Sequence, residues 1–268
     1  MKRSTILILA LLATLLGVGL GFYLLRPAQT PPPAPLPEAA PAVPLGEPAE
    51  PVIRHPLPEP ATETEASAPN SPPPELADIL GGQFGMEVFA RLFFSDKLIL
   101  RIVATVDNLP RPEAPVSMFP LRPVAGSFRV APHGEDKVIA PENAVRYAQH
   151  MALLQALPPA TAARIYIQFY PRFQQAYREL GYPKAYFNDR LVETLDNLLA
   201  TPEAMPPLSV QQPKVFYEFT DPVLRATSAG QKILLRMGPE NAAQAKQWLR
   251  EFRQHVARAE VPAAGGNP

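Results

Sequence analysis

The chain has 268 residues, and its 25 basic and 25 acidic side chains cancel. Residues 76–268 carry 21 basic and 18 acidic groups, too even and dispersed a balance to grip a phosphate backbone, so nucleic acid is not an expected partner. Cysteine is absent, which excludes disulfides, thiolate metal sites, thiol catalysis and a lipidated cysteine.

The N-terminus opens on Lys2 and Arg3, followed by an uncharged, mostly apolar run of 20 residues from Ile6 to Leu25. At about 1.5 Å per residue such a helix spans roughly 30 Å, the thickness of a bilayer's hydrocarbon core. Phe22, Tyr23, Leu24, Leu25 and Arg26 stand where a small-x-small cleavage site would follow a signal peptide, so an uncleaved anchor is expected. The basic residues ahead of the run keep the N-terminus cytoplasmic. A single-pass protein of the bacterial inner membrane with a periplasmic C-terminal domain follows. Gly17 and Gly21 have the spacing that permits close helix pairing, or are simply tolerated there.

Residues 27–74 hold 17 prolines and no aromatic residue. They read as a disordered, polyproline-rich linker that spaces the domain from the membrane. Its xPxP runs could instead dock in a proline-recognising groove.

Aromatic residues resume at Phe84, and helical periodicity with them, giving one domain of about 180 residues. "PPPELADILGGQFGMEVFARLF" suggests a short helix, a diglycine break and a second helix. Ser95 is a plausible N-cap for a third helix ending before Pro110, with Leu98, Ile99, Ile102, Val103 and Val106 on one stripe. An extended loop over 110–126 leads to a hairpin in "SFRVAPHGEDKVIAP", turning within Pro132 to Asp136. Helices follow at 142–157 and at 160–180, the latter kinked at Pro171, and then at 184–200. "TDPVLRAT" starts another with Asp221 or Thr220 as cap, Ser228 to Gln231 offers a capping box, and "GPENAAQAKQWLREFRQHVARA" aligns Ala245, Trp248, Leu249, Phe252 and Val256.

The 184–200 helix carries the candidate site. On a helical wheel Leu191, Val192, Leu195, Leu198 and Leu199 share an arc with Phe187, while Asp189, Glu193 and Asp196 fall opposite and should face outward. The two like-charge pairs cost about 0.2–0.5 kcal/mol each in an isolated helix. Either cations of a neighbouring helix such as Arg172, Arg178 or Arg236 neutralise them, or the face is solvated, or it binds something. Asn188 lies within the apolar arc and needs hydrogen-bond partners unless it is an N-cap. Tyr166, Tyr170, Phe173 and Tyr177 repeat as a core-facing stripe, or line a groove for sugar rings. The binding residues singled out are Tyr186, Asn188, Asp189, Arg190 and Glu193. No G-x-S-x-G, H-E-x-x-H, P-loop or S-x-x-K with K-T-G is present. No catalytic residue, metal or cofactor is assigned.

"VATVDNLPR", "YPRFQQAYRELGYPKAYFNDRLVETLDNLLATPE" and "QPKVFYEFTDPVLRATSAGQKILLRMGPENA" resemble, in this order, a proteobacterial family of membrane-anchored proteins known only as a domain of unknown function. The resemblance covers roughly 75–258 and implies a Gram-negative envelope location, with no activity to carry over. The expected architecture is mainly α: a compact multi-helix domain over 75–258 with one small β-hairpin. It follows a transmembrane anchor (1–26) and a disordered linker (27–74), and precedes a loose tail (259–268). The leading expectation is a tethered module that binds or scaffolds an envelope protein or a peptidoglycan-type glycan. An envelope hydrolase using carboxylates of the 189–196 face, and a plain structural spacer, are the alternatives.

Overall fold

A computed structural model describes residues 52–58 and 74–257, all within the compact unit Glu50–Pro268. The apolar run 6–25, the glycine pair within it, most of the proline-rich linker and the tail lie outside the described residues. No helix among the described residues is long and apolar enough to cross a membrane. They form 11 helices and a small four-stranded antiparallel sheet.

Helix α1 (Leu76–Phe84) and α2 (Met86–Leu92) come first. The chain breaks between them at Gly85 (φ 85°), whereas the expected break, Gly81 and Gly82, stays helical. Gly81 is needed for packing rather than for a break, because the Met86 side chain occupies the space a Cβ there would need. A positive φ is open to glycine at Gly85, so the turn falls there. Helix α3 (Leu98–Asn108) enters through Lys97 in a left-handed conformation (φ 50°), so Ser95 is not its cap. Its predicted stripe does face the core, with Leu98 and Val103 buried and Ile99, Ile102 and Val106 packed against them.

The predicted hairpin is β1 (Val130–His133) and β2 (Asp136–Ile139), joined by a turn at Gly134 and Glu135. It is half of the sheet. β3 (Ser209–Gln211) pairs with β2, and β4 (Glu218–Phe219) pairs with β3, in the order β1-β2-β3-β4. Two strands of three and two residues are too short to show alternation, and their partner lies some 70 residues upstream.

The helix expected over 142–157 is two, α4 (Asn143–Arg146) and α5 (Ala148–Ala156). Asn143 is 1% exposed and bonds the Arg129 amide and carbonyl, which pins α4 to the chain entering the hairpin. The kink expected at Pro171 is a full break at Phe169 between α6 (Pro159–Gln168) and α7 (Tyr170–Glu179). Pro171 sits in the first turn of α7, where its missing N–H costs nothing. Then come α8 (Phe187–Leu199), α9 (Pro222–Arg225), α10 (Ala229–Arg236) and α11 (Pro239–Val256). Asp221 caps α9 by accepting from the Val223 amide at 2.7 Å, and the Ser228–Gln231 capping box opens α10 as the sequence predicts.

The main core is built by α3, α6, α7, α8 and α11 around Tyr166, Tyr170, Phe173, Tyr177 and Phe187. Phe173 and Phe187 stack with centroids 6.0 Å apart, and Tyr166 meets Phe252 of α11 edge-on. The tyrosine stripe is core, not a groove, and α8 runs through its middle.

Candidate functional site

The first turn of α8 is where the singled-out residues meet. Its entry is fixed from α7: Gln174 Oε1 accepts from the Phe187 amide at 2.8 Å while its Nε2 donates to the Ala185 carbonyl at 2.8 Å. That satisfies one of the orphan amides every helix start presents. Asn188 is fully buried and is not a cap. Its Nδ2 donates to the carbonyls of Val256 and His55, both at 2.8 Å, and its Oδ1 accepts from the Tyr166 hydroxyl at 3.1 Å. Asn188 thus lies in the apolar arc because three separate elements bring it partners.

Asp189 does not face solvent; it is 9% exposed. What covers it is residues 52–58, a stretch of the expected linker that lies against the domain. The Arg54 amide reaches its carboxylate at 3.1 Å and the His55 amide at 2.8 Å, and the Leu57 amide donates to the Tyr186 hydroxyl at 3.2 Å. The helical wheel is right about direction and silent about this cover, since the wheel knows only its own helix. Glu193 and Asp196 do face outward, as expected. Arg190 pairs with Glu193 at 2.9 Å, and Arg253 of α11 takes Asp196 in a two-point bridge. Two of the three arginines expected to neutralise the acids do other work: Arg172 pairs with Glu75, and Arg236 donates to the Tyr217 carbonyl. All three carboxylates of the face are therefore held by donors.

Arg190 belongs to a second cluster that leaves Asn188 behind. Its Nε donates to the buried Asp107 of α3 at 3.1 Å, and Arg111 and the Tyr182 hydroxyl converge on the same carboxylate at 2.6 and 3.2 Å. Burial works against the Arg190 charge, but Glu193 and Asp107 outweigh it and raise its pKa. The Tyr177 phenol beside this cluster is pushed up to about 12, by burial first and then by Asp107. Sequence reasoning missed Asp107 and Gln174. Asp107 stands four residues after the buried Val103, so a carboxylate on the core stripe is the signal that was available.

Past the C-terminal end of α8 lies a cleft of 760 Å³ between β2, the 201–208 loop, and the junction of α10 and α11. Val138, Ala140, Pro202, Ala204, Leu208 and Leu234 are among its walls, and no aromatic residue lines it. Several of its polar side chains bond within the domain: Lys246 donates to the Thr201 carbonyl at 2.7 Å, Asn241 to the Ala144 and Met237 carbonyls, and Asn143 to the hairpin entry, while the exposed Glu203 and Glu240 add two carboxylates to the wall. Met205 stands at the lip, 88% exposed. Among the described residues no group of three or more His, Asp or Glu could hold a metal ion.

A family model described as a protein of unknown function, DUF3014, matches residues 98–253. The chain belongs to the DUF3014 family. No curated protein and no solved structure matches it. The DUF3014 match begins at α3 and ends in the last turn of α11, so it contains Asn188, Asp189 and the whole cleft wall. Residues 52–58, which cover Asp189, fall outside it.

Proposed function

We propose that this DUF3014 protein is a binding module of the proteobacterial cell envelope, held at the inner membrane by residues 6–25 with its helical domain in the periplasm. In this reading the cleft takes an apolar segment of an envelope protein. The cleft itself carries the proposal. At 760 Å³ it lies within the size range of ligand sites, and its wall is mostly apolar, with the exposed Glu203 and Glu240 as its carboxylates. A glycan fits less well. Sugar recognition needs converging free hydroxyl partners and aromatic faces, and this cleft has no aromatic wall while the tyrosines are packed in the core. The apolar run at 6–25 and the proline-rich stretch after it support the tethered arrangement.

The test is a photo-crosslinking residue placed at Met205 in intact cells, with one at Glu251, on α11 outside the cleft, as control. A discrete envelope-protein adduct from position 205 that disappears when Ala243→Trp fills the cleft is the expected result. Equal adducts from both positions, or an adduct indifferent to Ala243→Trp, would count against the proposal.

A further inference from the structure

Residues 52–58 and the start of α8 fit one another in a way that the cleft does not explain. We propose that Tyr186, Asn188 and Asp189 form a peptide clamp whose ligand is the chain's own segment Val52–Pro58, a releasable latch that fixes where the N-terminal part of the chain leaves the domain. The inference is independent of what the cleft binds.

The match is one of donors to acceptors. Within residues 54–58 the backbone has three N–H groups, on Arg54, His55 and Leu57, because Pro56 and Pro58 have none. All three are taken by the clamp: the first two by the Asp189 carboxylate, the third by the Tyr186 hydroxyl. A bend at Arg54 and His55 turns their successive amides toward one anion, an arrangement that suits a carboxylate and no neutral side chain as well. Asn188 completes the grip by donating to the His55 carbonyl, and Leu57 packs against the main core. The Arg54 side chain, by contrast, is 64% exposed and 4.0 Å from Asp189, so the segment is held through its backbone.

Two features make the latch releasable. Val52 and Ile53 are exposed, so apolar burial comes mainly from Leu57. Residues 59–73 link the clamp directly to α1, which keeps the local concentration of the segment high and favours rebinding in cis over capture of another peptide. While the latch is closed, tension on the chain ahead of residue 52 falls on the clamp. Opening it frees residues 52–58 from the domain and so lengthens the tether.

Arg54 supplies the readout. It is the only lysine or arginine between residues 27 and 90, so trypsin cuts this stretch at one bond, Arg54–His55, and a closed latch withholds the backbone that the protease must bind. Full-length protein in mild detergent is digested, with cleavage at the exposed Lys214 in the same molecule as the internal standard. Removal of charge-assisted hydrogen bonds by Asp189→Ala should speed Arg54 cleavage by about 10-fold or more, with Lys214 cleavage unchanged. Leu57→Asp, which lies in the latch and leaves the domain's own residues intact, should do the same even if Asp189→Ala disturbs folding. Equal Arg54 cleavage in wild type and Leu57→Asp overturns the latch. Protection that weakens on dilution of the wild type overturns it in cis, by placing the segment on a second copy.

Discussion

The first turn of α8 and the cleft by the sheet are opposites in how they satisfy polar groups. At α8, Asn188 is fully buried and all three of its bonds are made within the chain, and Asp189 is held by two amides. At the cleft Lys246, Asn241 and Asn143 hydrogen-bond within the domain, and the wall is mostly proline, alanine and leucine, with the exposed Glu203 and Glu240. The first region closes on itself and stabilises the fold; the second is left open at little cost to it. Substitutions in the two regions should therefore differ in kind.

The largest effect is expected at Asn188. Asn188→Ala removes three hydrogen bonds and strands the Tyr166 hydroxyl and the Val256 carbonyl in the core, a loss of roughly 3–5 kcal/mol. Urea unfolding followed by circular dichroism measures it. A loss below about 1 kcal/mol would mean that water or a rearranged α11 end replaces these bonds, and that the region is not closed in the sense drawn here.

How much of this was legible in the sequence differs between the two regions for a physical reason. The amphipathic face of α8, the core stripe of tyrosines, the Asp221 cap and the Ser228 box are local patterns, and all appear where the spacing puts them. Asn188 stands out in the sequence by its place in the apolar arc, and it is at the centre of the clamp. Its partners His55 and Val256 are 133 and 68 residues away, so no period reveals them. The cover over Asp189 was hidden further, because a proline-rich stretch without aromatics reads as spacer throughout, and seven residues with one leucine in contact do not alter that composition. The cleft left no trace at all: its walls come from a hairpin, a loop and a helix junction, and each stretch is unremarkable alone.

Alkaline pH tests the closed region by another route. Tyr177 has its phenol pushed from 10.0 to about 12, and burial raises Tyr166 and Tyr170 in the same direction. Since the folded pKa lies above the unfolded one, this contribution is fully present below pH 10 and is lost as pH rises toward about 12. Stability should fall over that window, and Tyr177→Phe should flatten part of the fall. Denaturant midpoints at pH 9 and 11 give the comparison, and an unchanged slope in Tyr177→Phe would move the responsible phenol elsewhere. A smaller loss is expected at the edge of the region, where Ser228 Oγ accepts from the Gln231 amide at 3.2 Å and donates to Asn197 of α8 at 2.7 Å. Ser228→Ala should cost about 1–2 kcal/mol, one cap and one tie between α10 and α8.

The smallest effect on stability should come from the open region, and it is the one that sharpens the contrast most. Met205 is 88% exposed at the lip of the cleft, so Met205→Ser removes almost no buried area and should shift stability by less than about 0.5 kcal/mol. A flexible thioether on a proline-flanked loop is well suited to adapt to an apolar partner, because it presents a polarisable surface without a fixed shape. If the cleft is a docking site, Met205→Ser should weaken capture of that partner by a photo-crosslinking residue moved to the neighbouring Glu203, while the melting temperature stays put. A variant that lost stability instead would show the lip to be part of the core, and the two regions would then differ in degree only.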